Sequence, residues 1–328
     1  MSTIAVDAMG GDSAPEEVVK GAILAKKEGV DVILSGDENL IKSYLGNEKI
    51  PVINYPQVIS MDDDPAKAIR SNKDSSIIGA LNLVKEKKAD AVFSAGSTGA
   101  TLIGAISVLG KIKGVTRPTI ASVLPGKEKE VILVDSGANL EVKPKVLYQF
   151  AIMGSKLSEL LFDIENPRIG LINNGEESSK GRELEKATFK LLKSSQLNFI
   201  GNVEGKDFAN SKVDVFVTDG FTGNVVLKTL QGVAKLQQDL ISKSLKENLF
   251  KPLLVPVKNA ISPVKSMLNP NSTNGSYLLG VNGLVIIGHG SSNSEAIKNA
   301  LLFTSRAVEK RFINKFTEVS SELWMKRN

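Results

Sequence analysis

TIAVDAMGGD, at residues 3–12, is a short apolar run followed by a polar turn that contains two glycines. A continuous apolar run is typical of a strand that is buried on both faces of a sheet. PEEVV follows at residues 15–19 and predicts a helix, because proline suits the first turn and acidic residues suit the positive end of the helix dipole. A strand, a turn and a helix in this order are the repeating unit of an α/β fold.

The same alternation continues along the chain. Further apolar runs predict buried strands at Asp31–Leu34, Pro51–Asn54, Ala91–Phe93, Thr119–Val123, Val131–Val134, Arg168–Ile172, Val213–Val217 and Leu284–Ile287. The segments between them predict helices at Ser75–Lys87, Lys143–Leu161 and Arg182–Leu192. We therefore predict an α/β fold of three layers, in which a mostly parallel sheet is covered by helices. No linker or fixed repeat divides residues 1–328, so we expect one domain, or two subdomains that share one sheet.

The composition excludes several classes of site. The 328 residues include no cysteine, which excludes disulfides, thiolate metal ligands and a cysteine nucleophile. A net charge of +5 with 5% aromatic residues and no basic stripe does not indicate nucleic acid binding. We find no signal-peptide pattern and no apolar run of about 18 residues that would span a membrane. The charge also suits an acidic protein partner or an anionic membrane surface.

One region departs from the alternating pattern. Gly223–Leu249 predicts a single long helix, with apolar residues such as Val226 and Leu230 at helical spacing. Phe250–Val257 follows, is mostly apolar, and contains two prolines that end the helix. We expect residues from about 223 to 268 to form a protruding tip. Phe250–Val257 would be either a buried loop or an exposed contact with a membrane or a partner.

Six of the predicted strands are followed by loops that combine glycine with hydroxyl, amide or acidic residues. These loops are Asp7–Asp12, Ser94–Ala100, Asp135–Asn139, Asn173–Glu177, Thr218–Asn224 and Gly288–Ser292. Glycine lets the backbone approach a ligand closely, and free N–H groups at helix N-termini bind anions. In an open parallel sheet such loops lie at one edge, so together they predict a basin for a small anion. One such loop alone is an ordinary turn of an α/β protein.

The candidate substrate-binding residues lie in or beside these loops. They are Asp7, Gly10, Gly11, Asp12, Ser97, Thr98, Gly99, Asn139, Asn174, Glu177, Lys180 and Lys228. Lys180, Arg182 and Lys228 would balance the charge of a phosphate, although each is also an ordinary solvated cation. His289, the only histidine, lies between two glycines after a predicted strand, where acid–base chemistry and a structural hydrogen bond are both plausible.

Familiar cofactor motifs are absent from the sequence. It contains no P-loop, no G-x-G-x-x-G fingerprint after a strand and no G-x-S-x-G nucleophile elbow. One histidine without cysteine does not predict a zinc site. Asp62–Asp64 would bind Mg²⁺, but such a run more often caps a helix. We therefore predict an enzyme that uses no cofactor.

The loops together closely resemble those of the PlsX family of phosphate acyltransferases. VDAMGGD at residues 6–12 and VTDGFTGNVVLKT at residues 217–229 are the most specific of these motifs. The order and spacing of the motifs agree from residue 1 to about residue 310. The residues beyond Glu309 carry no motif that we can place.

The resemblance implies an enzyme that transfers the acyl group of acyl-[acyl carrier protein] to inorganic phosphate, and so makes acyl-phosphate for the membrane-bound glycerol-3-phosphate acyltransferase. It also implies a fold similar to that of phosphotransacetylases and of the isocitrate and isopropylmalate dehydrogenases. Family members are homodimers in the cytoplasm that contact the membrane peripherally. In this chain the membrane contact would fall at Phe250–Val257, and Lys180 and Arg182 would meet the acidic carrier protein.

A direct attack of phosphate on the thioester suits these residues, because phosphate is already a nucleophile and needs no activated serine or cysteine. The groups expected to hold the phosphate and the oxyanion are the N–H groups of Ser97–Gly99 and the side chains of Asn139, Asn174 and Asn224. His289 or Asp219 is expected to handle a proton or to help the thiolate leave. His289, Asp219 and Asn224 are thus the catalytic candidates.

Three other functions stay open on the sequence alone. An oxidoreductase of the isopropylmalate dehydrogenase-like fold would need a nicotinamide cofactor and usually a divalent metal, for which the sequence offers no convincing arrangement. A phosphate acetyltransferase that acts on coenzyme A would share the chemistry but not the carrier. A peripheral membrane scaffold that binds acyl carrier protein would explain the apolar tip and the positive charge, but not the six polar loops.

Overall fold

The computed structural model describes residues 2–248 and 275–317. The predicted apolar segment Phe250–Val257 lies outside these ranges. The strands are β1 (Thr3–Asp7), β2 (Asp31–Gly36), β3 (Val52–Asn54), β4 (Ala91–Ser94), β5 (Thr119–Leu124), β6 (Val131–Val134), β7 (Ile169–Ile172), β8 (Phe199–Val203), β9 (Val215–Val217), β10 (Ser276–Leu279) and β11 (Leu284–Ile287). The helices are α1 (Glu16–Lys27), α2 (Glu38–Leu45), α3 (Pro65–Ser71), α4 (Ser76–Lys85), α5 (Thr98–Val108), α6 (Pro144–Phe162), α7 (Glu183–Lys193), α8 (Gly220–Asn248) and α9 (Ser294–Glu309), and a 3-10 helix spans Gly205–Phe208.

The first strand, turn and helix form where the opening sequence predicts them. In β1, Ile4 and Val6 pack into one hydrophobic layer and Ala5 into the other, because successive side chains of a strand point to opposite faces. In α1, Val18 and Ala22 are buried one turn apart. Acidic residues in its first turn and lysines in its last turn match the helix dipole.

One sheet runs through both described ranges. Its strand order is β3-β2-β1-β4-β11-β10-β5-β6-β9-β7-β8. Seven of its ten neighbouring pairs among the described residues are parallel. Helices α1, α6 and α9 cover one face, and α4 and α5 cover the other. The predicted three-layer α/β fold with a mostly parallel sheet is therefore confirmed.

The sheet contains two sets of parallel strands that run in opposite directions. β10 is antiparallel to both β11 and β5, and β5 is antiparallel to β6. Three polar loops therefore lie at one edge, after β1, β4 and β11, and three lie at the other edge, after β6, β7 and β9. The expectation that all six share one edge is wrong. The connections at residues 125–130 and 280–283 are too short for a parallel crossover, which needs about a dozen residues.

α8 is a helix of 29 residues and is therefore about 43 Å long. Phe221, Val225, Leu236 and Leu240 are large apolar side chains of α8 that are exposed to solvent. Their spacing places them on one side of the helix, which we call the apolar face of α8. Within the ranges that the structure describes, no helix is long and apolar enough to cross a membrane.

Candidate active site

A cavity of about 370 Å³ lies against the sheet and is bordered by helices α5, α8 and α9. Much of its wall is apolar and includes Phe93, Ile120, Val123, Leu227, Ile287 and Ala300. Its polar groups include Thr98, Asn224, Lys228 and His289. Pockets of this size and composition bind small organic ligands, with a few polar groups that fix the orientation of the ligand.

Helix α8 brings groups from the two edges of the sheet together. It begins after β9 at one edge, and its Lys228 reaches His289, which follows β11 at the other edge. The Nζ atom of Lys228 lies 3.5 Å from Nε2 of His289. Asn224 precedes Lys228 by one turn, so both side chains lie on the same side of the helix and line the cavity. Three of the predicted residues thus meet although their loops lie at opposite edges.

His289 is held in one orientation by the residues that follow it. The backbone N–H of Ser291 donates to Nδ1 of His289 (3.3 Å), and Oγ of Ser291 lies 2.9 Å from the same atom. The backbone N–H of Ser291 favours the neutral tautomer that has its proton on Nε2, the atom that lies nearest to Lys228. Partial burial and the charge of Lys228 lower the pKa of His289, while Asp12 opposes this shift. The lowered pKa favours the neutral ring, which in this tautomer has an N–H at Nε2 to donate.

The N-terminus of α5 contributes the next polar group of the cavity. Ser97 caps this helix, and its Oγ accepts the N–H of Ala100 (3.4 Å). Thr98 follows and lines the cavity. The first turn of a helix leaves backbone N–H groups without intrahelical partners, and such groups attract anions. Gly99 lacks a side chain for a packing reason, because a Cβ there would lie 2.7 Å from Cγ of Pro65.

The N-terminal loop, Asp7–Asp12, contacts the loops that carry Thr98 and His289. Asp7 is 4% exposed, and burial raises the pKa of its carboxyl group above the ordinary value. Gly10 packs against Asp7, and Gly11 has a φ of 121°, which favours glycine. The N–H of Asp12 donates to the carbonyl of Gly290 (2.8 Å), next to His289. These four predicted residues do not line the cavity, but they contact the loops that carry its lining residues.

Asn139 and Asp219 make structural contacts outside the cavity. Nδ2 of Asn139 donates to the carbonyl of Pro118 (2.9 Å) and to Oδ2 of Asp135 (2.8 Å). The buried Asp219 accepts the N–H of Thr222 (2.8 Å) in the first turn of α8 and also pairs with Arg182. The expectation that these two side chains contact substrate or move a proton gains no support from the geometry, because neither lines the cavity and both carboxyl oxygens of Asp219 and the amide nitrogen of Asn139 already have partners.

Asn174, Glu177 and Lys180 follow β7 at the edge opposite His289. All three are exposed and none lines the cavity. The N–H of Asn174 donates to Oδ1 of Asn173 (2.8 Å), as in an ordinary polar turn. Asp64 of the acidic run accepts the N–H of Lys67 (2.8 Å) and caps α3, which confirms the preferred reading of that run.

Three serines of the cavity wall, Ser122, Ser136 and Ser276, are not among the predicted site residues. Oγ of Ser122 donates to Oγ of Ser136 and lies close to Oγ of Ser276, with both distances 2.8 Å. The three residues come from β5, from the loop after β6 and from β10. The sequence feature that could have identified them is Ser122, a hydroxyl residue inside the apolar strand sequence TIASVL at residues 119–124.

A profile of the fatty acid synthesis protein family matches residues 2–315. The phosphate acyltransferase of Pelotomaculum thermopropionicum is 45% identical to this chain, over 94% of this chain and 92% of the relative. The phosphate acyltransferase of Halothermothrix orenii is 43% identical, over 94% of this chain and 96% of the relative. The chain belongs to this family of phosphate acyltransferases. The family predicted from the loop motifs is therefore confirmed, and with it an acyltransferase of fatty acid and phospholipid synthesis.

Solved structures with a similar fold include two different kinds of enzyme. EutD phosphotransacetylase from Staphylococcus aureus superposes with a TM-score of 0.61 and 18% identity, over 93% of each chain. The 4-hydroxythreonine-4-phosphate dehydrogenase of Klebsiella pneumoniae gives a TM-score of 0.54 and 13% identity, over 93% of this chain and 98% of the other. These identities show a shared fold alone. They confirm the predicted similarity of this phosphate acyltransferase to phosphotransacetylase and dehydrogenase folds.

Proposed function

We propose that this phosphate acyltransferase transfers the acyl group of acyl-[acyl carrier protein] to inorganic phosphate and releases acyl-phosphate. The observation that carries the proposal is the cavity, because one space joins apolar walls to Lys228 and His289. The apolar walls suit a fatty acyl chain, and the polar groups suit a phosphate.

In the proposed reaction an oxygen of hydrogen phosphate attacks the carbonyl carbon of the thioester. A C–O bond forms, the C–S bond breaks, and the proton of the phosphate goes to the departing sulfur to give the thiol. The atoms balance without a cofactor and without a covalent intermediate on the enzyme. The protein's tasks are to hold the two substrates in contact and to stabilise the negative charge that develops on the carbonyl oxygen.

Lys228 is the group proposed to attract the phosphate, because among the described residues its ammonium contacts only the neutral Gln231 and His289. The N–H groups in the first turn of α5 add a second positive pole at Thr98. The neutral His289 donates a hydrogen bond from Nε2 to the phosphate or to the oxyanion, and does not need to take up a proton. Asn224 offers an amide N–H in the same cavity.

The carrier protein is proposed to dock through its acidic surface. Lys180 and Lys235 are exposed cations on this chain, and Lys235 directly follows Ala234, which lines the cavity. Arg182 suits this role less well than the sequence suggests, because its guanidinium pairs with Glu185 and Asp219. Complementary charge would then guide the acyl chain to the cavity.

A homodimer is proposed through the apolar face of α8. Four large apolar side chains exposed on one side of a helix are typical of a surface that another protein covers. A second copy of the chain would bury this face and would leave the cavity side of α8 in place. Membrane contact at Phe250–Val257, and delivery of acyl-phosphate to the membrane-bound glycerol-3-phosphate acyltransferase, are proposed from the family alone.

The double variant Leu236→Glu, Leu240→Glu is expected to sediment as a monomer, whereas the wild type sediments as a dimer. Two carboxylates on the apolar face of α8 would have to lose their hydration at the interface. The free energy of this desolvation exceeds what the remaining apolar contacts contribute to association. Analytical ultracentrifugation measures the mass of each species. Gln237→Glu, an exposed change on the same helix, is the control and should stay dimeric. Equal masses for the wild type and the double variant would contradict an interface on this face.

The proposed reaction is tested by incubating the purified protein with phosphate and either acyl-[acyl carrier protein] or acyl-coenzyme A. We expect acyl-phosphate, trapped as a hydroxamate, to form faster from the carrier-bound donor. Faster reaction with acyl-coenzyme A would favour the phosphate acetyltransferase alternative. Absence of acyl-phosphate from both donors would contradict the proposal. The membrane scaffold and the oxidoreductase would then remain, and a binding titration with nicotinamide cofactors would separate them, because only the oxidoreductase should bind the cofactor.

A further inference from the structure

A buried carboxyl group and a serine tie the N-terminal loop to the start of α5. Oγ of Ser94 donates to Oδ2 of Asp7 (2.6 Å) and accepts the N–H of Gly96 (3.1 Å). The other carboxyl oxygen of Asp7 accepts the N–H of Met9 (3.3 Å). Ser94 is fully buried, so water does not compete for these hydrogen bonds.

The two loops also touch backbone to backbone. A Cβ on Gly10 would lie 2.6 Å from Oδ2 of Asp7 and 2.7 Å from the nitrogen of Gly96. No side chain fits at residue 10 without moving the loop after β4. The position of Gly96 is therefore fixed from two sides, by the hydrogen bond to Ser94 and by the backbone of Gly10.

This contact adjoins the polar end of the cavity, which is formed by Thr98, Lys228 and His289. Gly96 precedes Ser97, the N-cap of α5, and Thr98, which lines the cavity. The same N-terminal loop holds the loop of His289, because the N–H of Asp12 donates to the carbonyl of Gly290 (2.8 Å). One loop thus sets the relative positions of the two segments that carry Thr98 and His289.

The burial of a carboxyl group does not by itself stabilise the folded state. It costs free energy that a pair of apolar side chains of similar size would not cost. The arrangement of Asp7 and Ser94 does supply direction, because a carboxylate acceptor fixes the hydroxyl and the hydroxyl then fixes one particular N–H.

We propose that Asp7 and Ser94 are positioning residues for phosphate, which orient the first turn of α5 toward the cavity that holds Lys228 and His289. The inference rests on the proposed function, since it assumes that phosphate binds at this polar end. Neither side chain touches the substrate. Their loss would therefore weaken phosphate binding and leave the site of the acyl donor intact.

The test compares Ser94→Ala with Ser305→Ala in steady-state kinetics. Ser305 is a matched control, because its Oγ also makes one buried 2.6 Å hydrogen bond, to Ser2, and it does not line the cavity. We expect Ser94→Ala to raise the KM for phosphate by about tenfold or more, because a small misplacement of binding groups is costly. The KM for the acyl donor should not change. Ser305→Ala should leave both KM values unchanged.

A second variant covers the case in which Ser94→Ala does not fold. Asp7→Asn keeps the shape of the side chain but replaces one acceptor oxygen with an NH₂ group, and it should raise the same KM. The inference is overturned if these variants alter the KM for phosphate no more than Ser305→Ala does, or raise both KM values alike. A wild-type protein that makes no acyl-phosphate would overturn the proposed function as well.

Discussion

Lys228→Ala is expected to raise the KM for phosphate about 10- to 100-fold, which corresponds to the loss of about one charged hydrogen bond. Within the described ranges this ammonium has no carboxylate partner, and its contacts are Oε1 of Gln231 at 3.4 Å and Nε2 of His289 at 3.5 Å. A phosphate dianion would supply the missing opposite charge. Steady-state kinetics with varied phosphate would measure the effect, and the KM for the acyl donor should stay near that of the wild type.

Two further variants decide what a change at Lys228 means. Lys228→Arg keeps the charge and should retain most of the phosphate affinity. Lys235→Ala removes an exposed lysine two turns later on the same helix, outside the cavity, and should leave the KM for phosphate unchanged. An unaltered KM in Lys228→Ala would contradict the assignment of phosphate to this end of the cavity.

The single histidine gives Lys228→Ala a second readout that does not depend on activity. The charge of Lys228 contributes to the lowered pKa of His289, so the variant should raise that pKa toward its ordinary value. A bound phosphate dianion should also raise it in the wild type, because a negative charge favours the protonated ring. Proton NMR follows one imidazole signal, since the chain has no other histidine. A pKa that phosphate does not move would place the anion elsewhere.

Gly223→Ala is expected to lower the free energy of unfolding by about 3 kcal/mol or more, because the new methyl group has no space. A Cβ at residue 223 would lie 1.8 Å from the backbone oxygen of Asp135. The start of α8 therefore packs directly on the loop that follows β6. Denaturant unfolding monitored by circular dichroism would measure the loss.

Gly232 offers a matched control in the same helix. A Cβ at residue 232 would meet nothing within 4 Å. Gly232→Ala should therefore raise stability by about 0.5–1 kcal/mol, since alanine is the better helix former. If both variants unfold at the same denaturant concentration, the close approach of α8 to Asp135 is not as the structure has it.

Local pattern predicted most of the elements well. The predicted strand Thr119–Val123 is β5 at Thr119–Leu124, and the predicted helix Arg182–Leu192 is α7 at Glu183–Lys193. Short continuous apolar runs that are rich in Val and Ile and bounded by turn residues favour strands that are buried on both faces. β8 and β10 were missed: β8 is the last strand of the sheet and has the mixed sequence FIGNV, and β10 has the sequence SYLL, which contains no β-branched residue.

The loop motifs also predicted the family, which the comparisons confirm. They did not separate groups that line the cavity from groups that hold the fold together. Asn139 and Asn224 are both amides in polar loops, yet Asn139 is paired with Asp135 and Asn224 lines the cavity. That difference depends on which neighbours the side chain meets, and such neighbours are distant in the sequence.

By itself the sequence determined the α/β class, the family and the loops that carry the polar residues. These features depend on the spacing of apolar residues and on short motifs, which involve only residues that are close together in the chain. Only the tertiary structure decided the directions of the strands, since three successive antiparallel pairs, β11–β10, β10–β5 and β5–β6, reverse the sheet and place three loops at each edge. It also decided that Lys228 and His289 share one cavity, because a helix that starts at one edge reaches across to the other. Contacts between residues so far apart depend on packing, which no local pattern records.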